Sequence, residues 1–314
     1  MSSHDHTTDL PQAMAGPEDA TSEDGWRRTA PSSTASLQTA PAPDLATLRA
    51  ALDRIDDTIH DLLMKRAGIV EQVARSGKPA AFRPGREASI VRRLVGRHQG
   101  TLPKLTLFRI WREMLAGTTS MQGSFSIAVC DPGRDATFTQ LAREHFGAMT
   151  PIRQHAGAAQ ALADVSQGRA PVAVLPFPSS TETWWTTLRH HEPRLHVIGR
   201  LPFWRRRPEG TPTVQALVVA PTPPDVSDED LTLISLECDS EASSTRATNA
   251  LTAGGLRPDS FLLLRDSRGG PSQALVEVAG FLTDDDARLH HLDSVLRRPI
   301  VLGSYAVPFP EDVS

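Results

Sequence analysis

A charged residue interrupts a long apolar stripe in the first third of the chain. From Leu48 to Leu62, apolar residues recur at alternating steps of four and three, and the next position of this helix-packing pattern holds Arg66. A charge on a packing seam is costly unless it is paired. Arg66 is therefore half of a structural salt bridge, for example with Glu87, or a register-setting polar residue, or a cation that binds an anionic ligand.

Two further apolar stripes also end in polar residues. A stripe that starts at Phe108 continues to Thr118 and Gln122, and another apolar line extends back to Glu87, beside Arg86. One such replacement is usually a satisfied polar group of the core. Replacements in three helices predict a polar pocket inside a helical bundle.

Arg49 precedes Arg66 by seventeen residues in the same predicted helix. That separation is about 25 Å along a helix axis, so one small ligand cannot contact both side chains from one helix. The whole helix, of about 30 residues and about 45 Å, is also too long for a compact small domain standing alone. Both observations predict that Arg49 reaches the pocket from a second subunit.

Gly and Pro residues separate the helices that would hold these side chains. We predict three helices, which cover residues 44 to about 75, 84 to about 99 and 104 to about 122. Short apolar strands then alternate with helices, which indicates an α/β unit, and a set of strands after Pro208 fits a small α+β sandwich. We therefore predict a multidomain protein with four parts: a disordered extension (1–43), an all-α domain (44–123), an α/β region (124–208) and an α+β region (209–310).

Basic charge is concentrated in the helical segment. Residues 44–122 hold fourteen Lys and Arg against eight Asp and Glu, in a 314-residue chain whose net charge is −4. This surplus is typical of nucleic-acid binding or of a pocket for a small polyanion. Nucleic-acid binding requires arginines on an exposed helix face, whereas Arg66 lies on the packing seam. We therefore expect a small-molecule ligand and no nucleic-acid partner.

Composition narrows the class of protein further. No stretch approaches the ~20 apolar residues of a membrane span, and the N-terminus lacks the basic and apolar regions of a secretory signal. Cys130 and Cys238 lie far apart, in apolar runs without metal-ligand spacing. We therefore expect buried, reduced thiols in a cytoplasmic protein that does not bind membranes.

The helical segment resembles the all-helical chorismate mutases of the AroQ class. The resemblance covers nearly all of 44–122 and rests on four stretches: Leu48-Arg49 through Ile55-Asp56, Leu62-Leu63-Met64-Lys65-Arg66, Arg83-Pro84-Gly85-Arg86-Glu87, and Ile110-Trp111-Arg112-Glu113 followed by Thr118 and Gln122. It implies an intertwined homodimer that converts chorismate to prephenate by an intramolecular Claisen rearrangement. It also implies that no metal, cofactor or covalent intermediate takes part.

The resemblance also implies roles for individual residues. Arg66 and the partner subunit's Arg49 would clamp the two substrate carboxylates, with Arg86 near one of them. Glu87 would accept the hydrogen bond of the substrate hydroxyl. Gln122 would donate to the ether oxygen, and Thr118 stands where the family usually has serine.

Two positions of the helical segment depart from the family. The lysine that contacts the ether oxygen has no counterpart at the matching interval, and the adjacent Lys78 is our candidate, with Arg75 as the alternative. Arg83 stands where the family has an acidic residue. Arg83 is either a further carboxylate contact or a solvated surface charge.

The second half of the chain resembles one lobe of a prephenate dehydratase, over Ser126–Phe146 and Val172–Ser180, followed by an ACT domain over Leu231–Tyr305. The dehydratase family's catalytic motifs are missing: Val214-Gln215-Ala216 occupies the position of its Thr-Arg-Phe, and Pro178-Ser179 that of its Glu-Asn. The effector motif Gly-Ala-Leu of ACT domains is not evident either. We therefore expect a non-catalytic or regulatory half. The alternatives are a bifunctional mutase-dehydratase and a non-enzymatic chorismate or amino-acid sensor with a vestigial pocket.

Overall fold

The computed structural model describes residues 44–76, 82–266 and 270–310. The predicted extension at 1–43 and Lys78 lie outside these residues. The described part contains a helical segment followed by a nine-stranded sheet with helices, which confirms the predicted fold class. No described helix is both long and apolar enough to span a membrane.

Three helices form where the breaks in the sequence predict them. They are α1 (Leu45–Arg75), α2 (Pro84–Gly96) and α3 (Lys104–Ser120). The carboxylate of Asp44 accepts a hydrogen bond of 2.7 Å from the backbone N–H of Thr47 and so caps α1. Pro84 occupies the first turn of α2, where its missing N–H costs no hydrogen bond.

Helix α1 has no buried residue in its 31 positions. Its apolar stripe lies at the surface of the single chain, with Leu52 59% and Leu62 60% exposed. Isolated exposed apolar residues are ordinary, but a continuous apolar stripe along a helix is typical of a packing surface.

The rest of the described chain alternates strands and helices. The strands are β1 (Ile127–Cys130), β2 (Ile152–His155), β3 (Val172–Pro176), β4 (His196–Leu201), β5 (Ala216–Ala220), β6 (Asp230–Cys238), β7 (Pro258–Leu264), β8 (Ser272–Ala279) and β9 (Leu296–Ala306). The helices are α4 (Thr137–Phe146), α5 (Ala158–Ser166), α6 (Ser244–Ala253) and α7 (Ala287–His290), with a 3₁₀-helix at Trp184–His190. The strands form one sheet in the order β2-β1-β3-β5-β4-β9-β6-β8-β7.

The first part of the sheet has helices on both faces. Strand β1 is parallel to β2 and β3, and β5 is antiparallel to β3 and β4. Because side chains alternate along β1, Ile127 packs in the same cluster as Phe146 of α4, whereas Ala128 packs with Leu162 of α5. All residues of β1, β3 and β5 are buried, as is typical of a sheet that is covered on both faces.

The last four strands have a ferredoxin-like βαββαβ order, β9-β6-β8-β7. They join the first part of the sheet where Val197 of β4 pairs with Gly303 of β9. A Cβ atom at Gly303 would lie 2.0 Å from the carbonyl oxygen of Val197, so only glycine permits this approach. Strand β5, which follows the predicted boundary at 208, pairs with β3 and β4. The division into domains stays a prediction.

Most of the predicted elements of the second half form, but several strands escape the sequence pattern. Helices α4, α5 and α6 and strands β1, β3, β5, β6, β7 and β8 match elements that the sequence predicts. Strands β2, β4 and β9 were not predicted. The sequence also predicts a helix near Asp285–Leu296, of which only Ala287–His290 is helical. Cys130 and Cys238 are buried and free, as predicted, and burial raises the pKa of each thiol to about 11.

Candidate active site

Arg66 is half-buried on α1, with partners that are all neutral. Its Nη1 donates to the hydroxyl of Thr118 on α3 over 3.4 Å, and its guanidinium carbon lies 5.8 Å from the ring centroid of Trp111. Burial lowers the pKa of Arg66, and the nearby charge of Glu87 opposes this shift. Arg66 makes no ion pair within the described residues, so the structural salt bridge with Glu87 is not formed there.

Glu87 of α2 instead pairs with Arg112 of α3. Arg112 Nη1 lies 3.1 Å from Glu87 Oε2, and the two side chains are 3% and 12% exposed. Burial raises the pKa of the Glu87 carboxyl, although the guanidinium of Arg112 opposes the shift. Glu87 Oε1 accepts no hydrogen bond from any described residue, so one oxygen of this carboxylate is open to a ligand.

Helix α3 presents two different faces because its buried positions follow steps of four and three. Phe108, Arg112, Leu115 and Thr119 are buried, whereas Trp111, Thr118 and Gln122 are half-buried on the side that contacts Arg66. Sequence reasoning gave Arg112 no role. The steps from Phe108 to Arg112 to Leu115 could have identified it as a buried cation that requires a counter-ion.

Thr118 lies in the last turn of α3, and Gln122 follows the end of the helix by two residues. The Thr118 hydroxyl accepts from Arg66 and lies 3.0 Å from the Leu115 carbonyl oxygen, to which it donates. Gln122 Nε2 donates to the Thr118 carbonyl over 3.2 Å. Gln122 also lines a cavity of about 440 Å³, together with Arg83 and Phe125. The structure thus brings Arg66, Thr118 and Gln122 to one side of α3.

The start of α2 is held by Asp225, from the segment after β5. The Asp225 carboxylate accepts hydrogen bonds from the backbone N–H groups of Gly85 (2.9 Å) and Arg86 (3.1 Å). It also lies 3.4 Å from Nε of Arg83, whose side chain is 61% exposed. A Cβ atom at Gly85 would lie 2.3 Å from the Asp225 carbonyl oxygen, so glycine is required there. Asp225 therefore fixes the helix end that carries Arg86 and Glu87.

Three of the other predicted site residues are exposed, and one lies outside the described residues. Arg49 is exposed on α1. Arg75 is exposed and pairs with Glu71 one helical turn away, at 3.1 Å. The side chain of Arg86 is exposed and makes no hydrogen bond or ion pair with any residue that the structure describes. Lys78 lies outside the described residues.

His145 of α4 extends the buried pair, and sequence reasoning missed it as well. His145 Nε2 lies 3.4 Å from Arg112 Nη1. Burial and the charge of Arg112 hold the pKa of His145 well below its usual range, so the ring is neutral. A cavity of about 10 Å³ between Glu87, Thr119 and His145 has about the size of one water molecule.

Comparisons with known proteins agree with this arrangement of helices. Residues 48–123 match the family model of chorismate mutase type II. The helical segment is therefore a chorismate mutase type II domain.

Over 150 residues the chain is 29% identical to a bifunctional chorismate mutase/prephenate dehydratase of Stutzerimonas stutzeri, a match that covers 45% of this chain and 40% of the relative. The chain thus spans about two fifths of the length of the curated relatives it matches.

Two solved structures are similar at low identity. One is GqqA, described as a novel type of quorum quenching acylase: 18% identity, TM-score 0.45, 59% of this chain and 96% of that chain covered. The other is prephenate dehydratase from Streptococcus mutans: 12% identity, TM-score 0.42, 59% of this chain and 100% of that chain covered.

Proposed function

We propose that this protein is a cytoplasmic chorismate mutase of aromatic amino-acid biosynthesis, with its active site in the helical domain at 44–123. The observation that supports it best is Arg66, a half-buried guanidinium whose partners are a hydroxyl and an aromatic ring. A desolvated cation without a carboxylate is costly in the free protein and is stabilised by an anionic ligand. A dicarboxylate such as chorismate supplies that anion.

The chemistry follows from positioning and charge. Arg66 binds one substrate carboxylate through two parallel N–H donors, which fixes the substrate in the compact geometry that the rearrangement requires. The open Oε1 of Glu87 accepts the hydrogen bond of the substrate hydroxyl, while Oε2 stays on Arg112. Gln122 and Lys78 donate to the ether oxygen, where negative charge develops as the C–O bond breaks. Arg75 is the alternative to Lys78. Neither proton transfer to solvent nor a covalent intermediate is needed.

The same proposal includes a homodimer. The exposed apolar stripe of α1, with Leu52 and Leu62 more than half exposed, is a surface that a second α1 helix would cover. In that dimer the partner subunit's Arg49 binds the second substrate carboxylate. Arg86 of the first subunit lies near the entrance of the substrate pocket, as does Arg83, which Asp225 holds only weakly.

We further propose that the second half is not a dehydratase. Gln215 stands at the position of the family's arginine, and its Oε1 accepts from Nη2 of Arg200 over 2.8 Å. Arg200 also pairs with Glu277 at 2.7 Å and lies 4.5 Å from the ring centroid of Phe177. The nearby guanidinium is thus engaged within the fold, and Val214 offers no hydroxyl. A regulatory role is the better account of this half.

The experiment is the loss of chorismate absorbance in purified protein, followed by a dehydratase assay on the product. Turnover that stops at prephenate and falls at least about 100-fold in Arg66→Ala supports the proposal. Lys78→Ala and Arg75→Ala form a matched pair. Only the substitution of the residue that contacts the ether oxygen should lower kcat. Absence of turnover in folded wild-type protein contradicts the enzyme and favours a sensor, and formation of phenylpyruvate favours the bifunctional alternative.

A further inference from the structure

A second cavity, of about 280 Å³, lies between α3, α4 and residues 202–208 and contains none of the proposed substrate-binding residues. Aromatic rings form much of its wall. Phe108 lies 5.3 Å from Trp204 and stacks on Phe203 at 6.3 Å, measured between ring centroids. We call it the basic cavity because its lining includes Arg109, Arg112, Arg143, Arg206 and Arg207.

The charges of the basic cavity are not balanced. Its lining holds five arginines and only two carboxylates, Glu113 and Glu144, and of the arginines Arg112 is paired with Glu87 outside the lining. Arg207 is held by both oxygens of Glu144, at 2.9 and 2.7 Å. Arg109 and Arg206, in contrast, make no hydrogen bond or ion pair with any residue that the structure describes. Two cations are thus available at the rim of an aromatic cavity.

Two residues that line the basic cavity also have a buried polar atom without a partner. Arg112 is 3% exposed, and its Nε has no hydrogen-bond acceptor among the described residues. Nδ1 of His145 likewise has no partner there. A buried N–H without an acceptor is destabilising, so such groups are usually satisfied by a ligand or a water molecule.

We propose that the basic cavity binds a small aromatic carboxylate. Its ring packs on Phe108, Phe203 and Trp204, and its carboxylate accepts from Arg109 and Arg206, beside the positive charge of Arg112. The volume suits a single ring with a short acidic group, since pockets for larger ligands start at about 300 Å³. Neutral His145 adds no charge at the wall.

The ligand would also act on the mutase site, and this step rests on the proposed function. Arg112 holds Glu87 through Nη1 and faces the basic cavity, so one guanidinium serves both places. An anion on Arg112 competes with Glu87 for its positive charge. Occupancy of the basic cavity therefore changes the acidity and position of the carboxylate that is proposed to bind the substrate hydroxyl.

The probe is benzoate, titrated into the full chain by calorimetry, with benzamide as its neutral isostere. We expect saturable binding of benzoate that weakens at least about tenfold in the Arg109→Ala/Arg206→Ala double variant, since two charge-assisted contacts are lost. The matched control is Arg205→Ala, which removes a neighbouring arginine that does not line the basic cavity. Benzamide should bind at least about tenfold more weakly than benzoate.

Arg66→Ala separates the two sites, because benzoate is also an anion that the mutase pocket could accept. Binding that persists in Arg66→Ala and is lost in the double variant supports the basic cavity. Binding that is lost in Arg66→Ala and kept in the double variant overturns it, as does the absence of saturable binding in the millimolar range. Calorimetry needs no turnover, so a protein that binds benzoate but does not convert chorismate contradicts the proposed function alone.

Discussion

The helical segment and the strand-rich half both bury a carboxylate, but Asp164 in the strand-rich half has more partners than Glu87 in the helical segment. Asp164 of α5 has three partners: Arg153 at 2.7 Å, His155 at 2.9 Å and Arg169 at 2.5 Å. Burial raises the pKa of Asp164, but its hydrogen bonds outweigh this and hold the pKa well below its usual range. Glu87 has one partner, and its pKa is raised.

The two regions also differ in their apolar surfaces. Strands β1, β3 and β5 are fully buried, whereas the apolar stripe of α1 is exposed along its whole length. A buried carboxylate with several partners, such as Asp164, and strands that are fully buried contribute to stability. The helical segment is incomplete in both respects, which is expected of a segment that binds a ligand and a second subunit.

The largest effect is expected from a substitution in the apolar stripe of α1, which is the proposed dimer interface. In Leu52→Glu a carboxylate enters the proposed helix interface, where burying an unpaired charge costs several kcal/mol. We expect a monomer by light scattering and loss of chorismate turnover, because Arg49 can then no longer reach the other subunit's site. Ala50→Glu adds the same charge two residues away, on the opposite side of α1, and should remain dimeric. Two dimeric variants would contradict the interface.

Substitutions of Glu87 and Glu277 test whether Glu87, the carboxylate with fewer partners, is the functional one. Glu277 of β8 is 1% exposed and accepts from Arg200, Ser260 and Tyr305. We expect Glu87→Gln to lower kcat/KM for chorismate about 100-fold, and to lower Tm as well because it removes the counter-ion of the buried Arg112. Glu277→Gln should lower Tm and leave kcat/KM nearly unchanged. The reverse pattern would make Glu87 the structural member of the pair.

The raised pKa of Glu87 also predicts how the activity depends on pH. The ionised carboxylate accepts the substrate hydroxyl, so activity falls as the pH drops through its pKa. Because that pKa is raised, the fall should begin above the usual 4.5 of a glutamate, and Glu87→Gln should lack it. A kcat/KM profile over acidic pH measures this. An identical acidic limb in the variant would assign the titration to another group.

Asp164 gives a smaller effect, which concerns stability and occurs at lower pH. Its lowered pKa means that its contribution to stability is complete above the unfolded pKa and is lost as the pH falls toward the folded one. We expect Asp164→Asn to lose about 1–3 kcal/mol at about pH 7, and less at about pH 3, in urea unfolding. Asp135→Asn, at an exposed position, is the control. A loss that is constant with pH would show that charge is not its cause.

Sequence pattern predicted the helices well because their ends are marked locally. Pro84 and Gly123 break the chain where α2 begins and α3 has ended, and Arg66 breaks an otherwise regular apolar repeat. Strands β4 and β9 were missed because Arg, Pro and Gly interrupt their apolar runs. Gly303 in β9 weakens a strand pattern, yet it is the residue that lets β4 approach.

The partners of the site residues were not predictable from local pattern. Arg112 contacts Glu87, 25 positions away, and Asp225 caps α2 from 140 positions beyond Gly85. Such pairs depend on which surfaces pack together, and a single sequence does not encode that in its spacing. Arg112 and Asp225 therefore had no assigned role.

The smallest expected effect concerns Arg83, which is paired with Asp225 but mostly exposed. An exposed ion pair contributes about 0–1 kcal/mol, so we expect Arg83→Ala to change stability and kcat/KM only slightly. Asp225→Ala should cost more, about 1 kcal/mol, because it also removes the cap of α2. Arg86→Ala is the matched comparison for activity, since this neighbouring arginine has no partner among the described residues.

Chorismate kinetics and urea unfolding of the single and double variants of Arg83 and Asp225 separate two roles for Arg83. If Arg83 only supports α2, its effect should vanish when Asp225 is already Ala, and KM should not change. If Arg83 binds a substrate carboxylate, KM rises in both backgrounds and resembles that of Arg86→Ala. The second outcome would make Arg83 a substrate-binding residue, which Asp225 holds in position before the substrate binds.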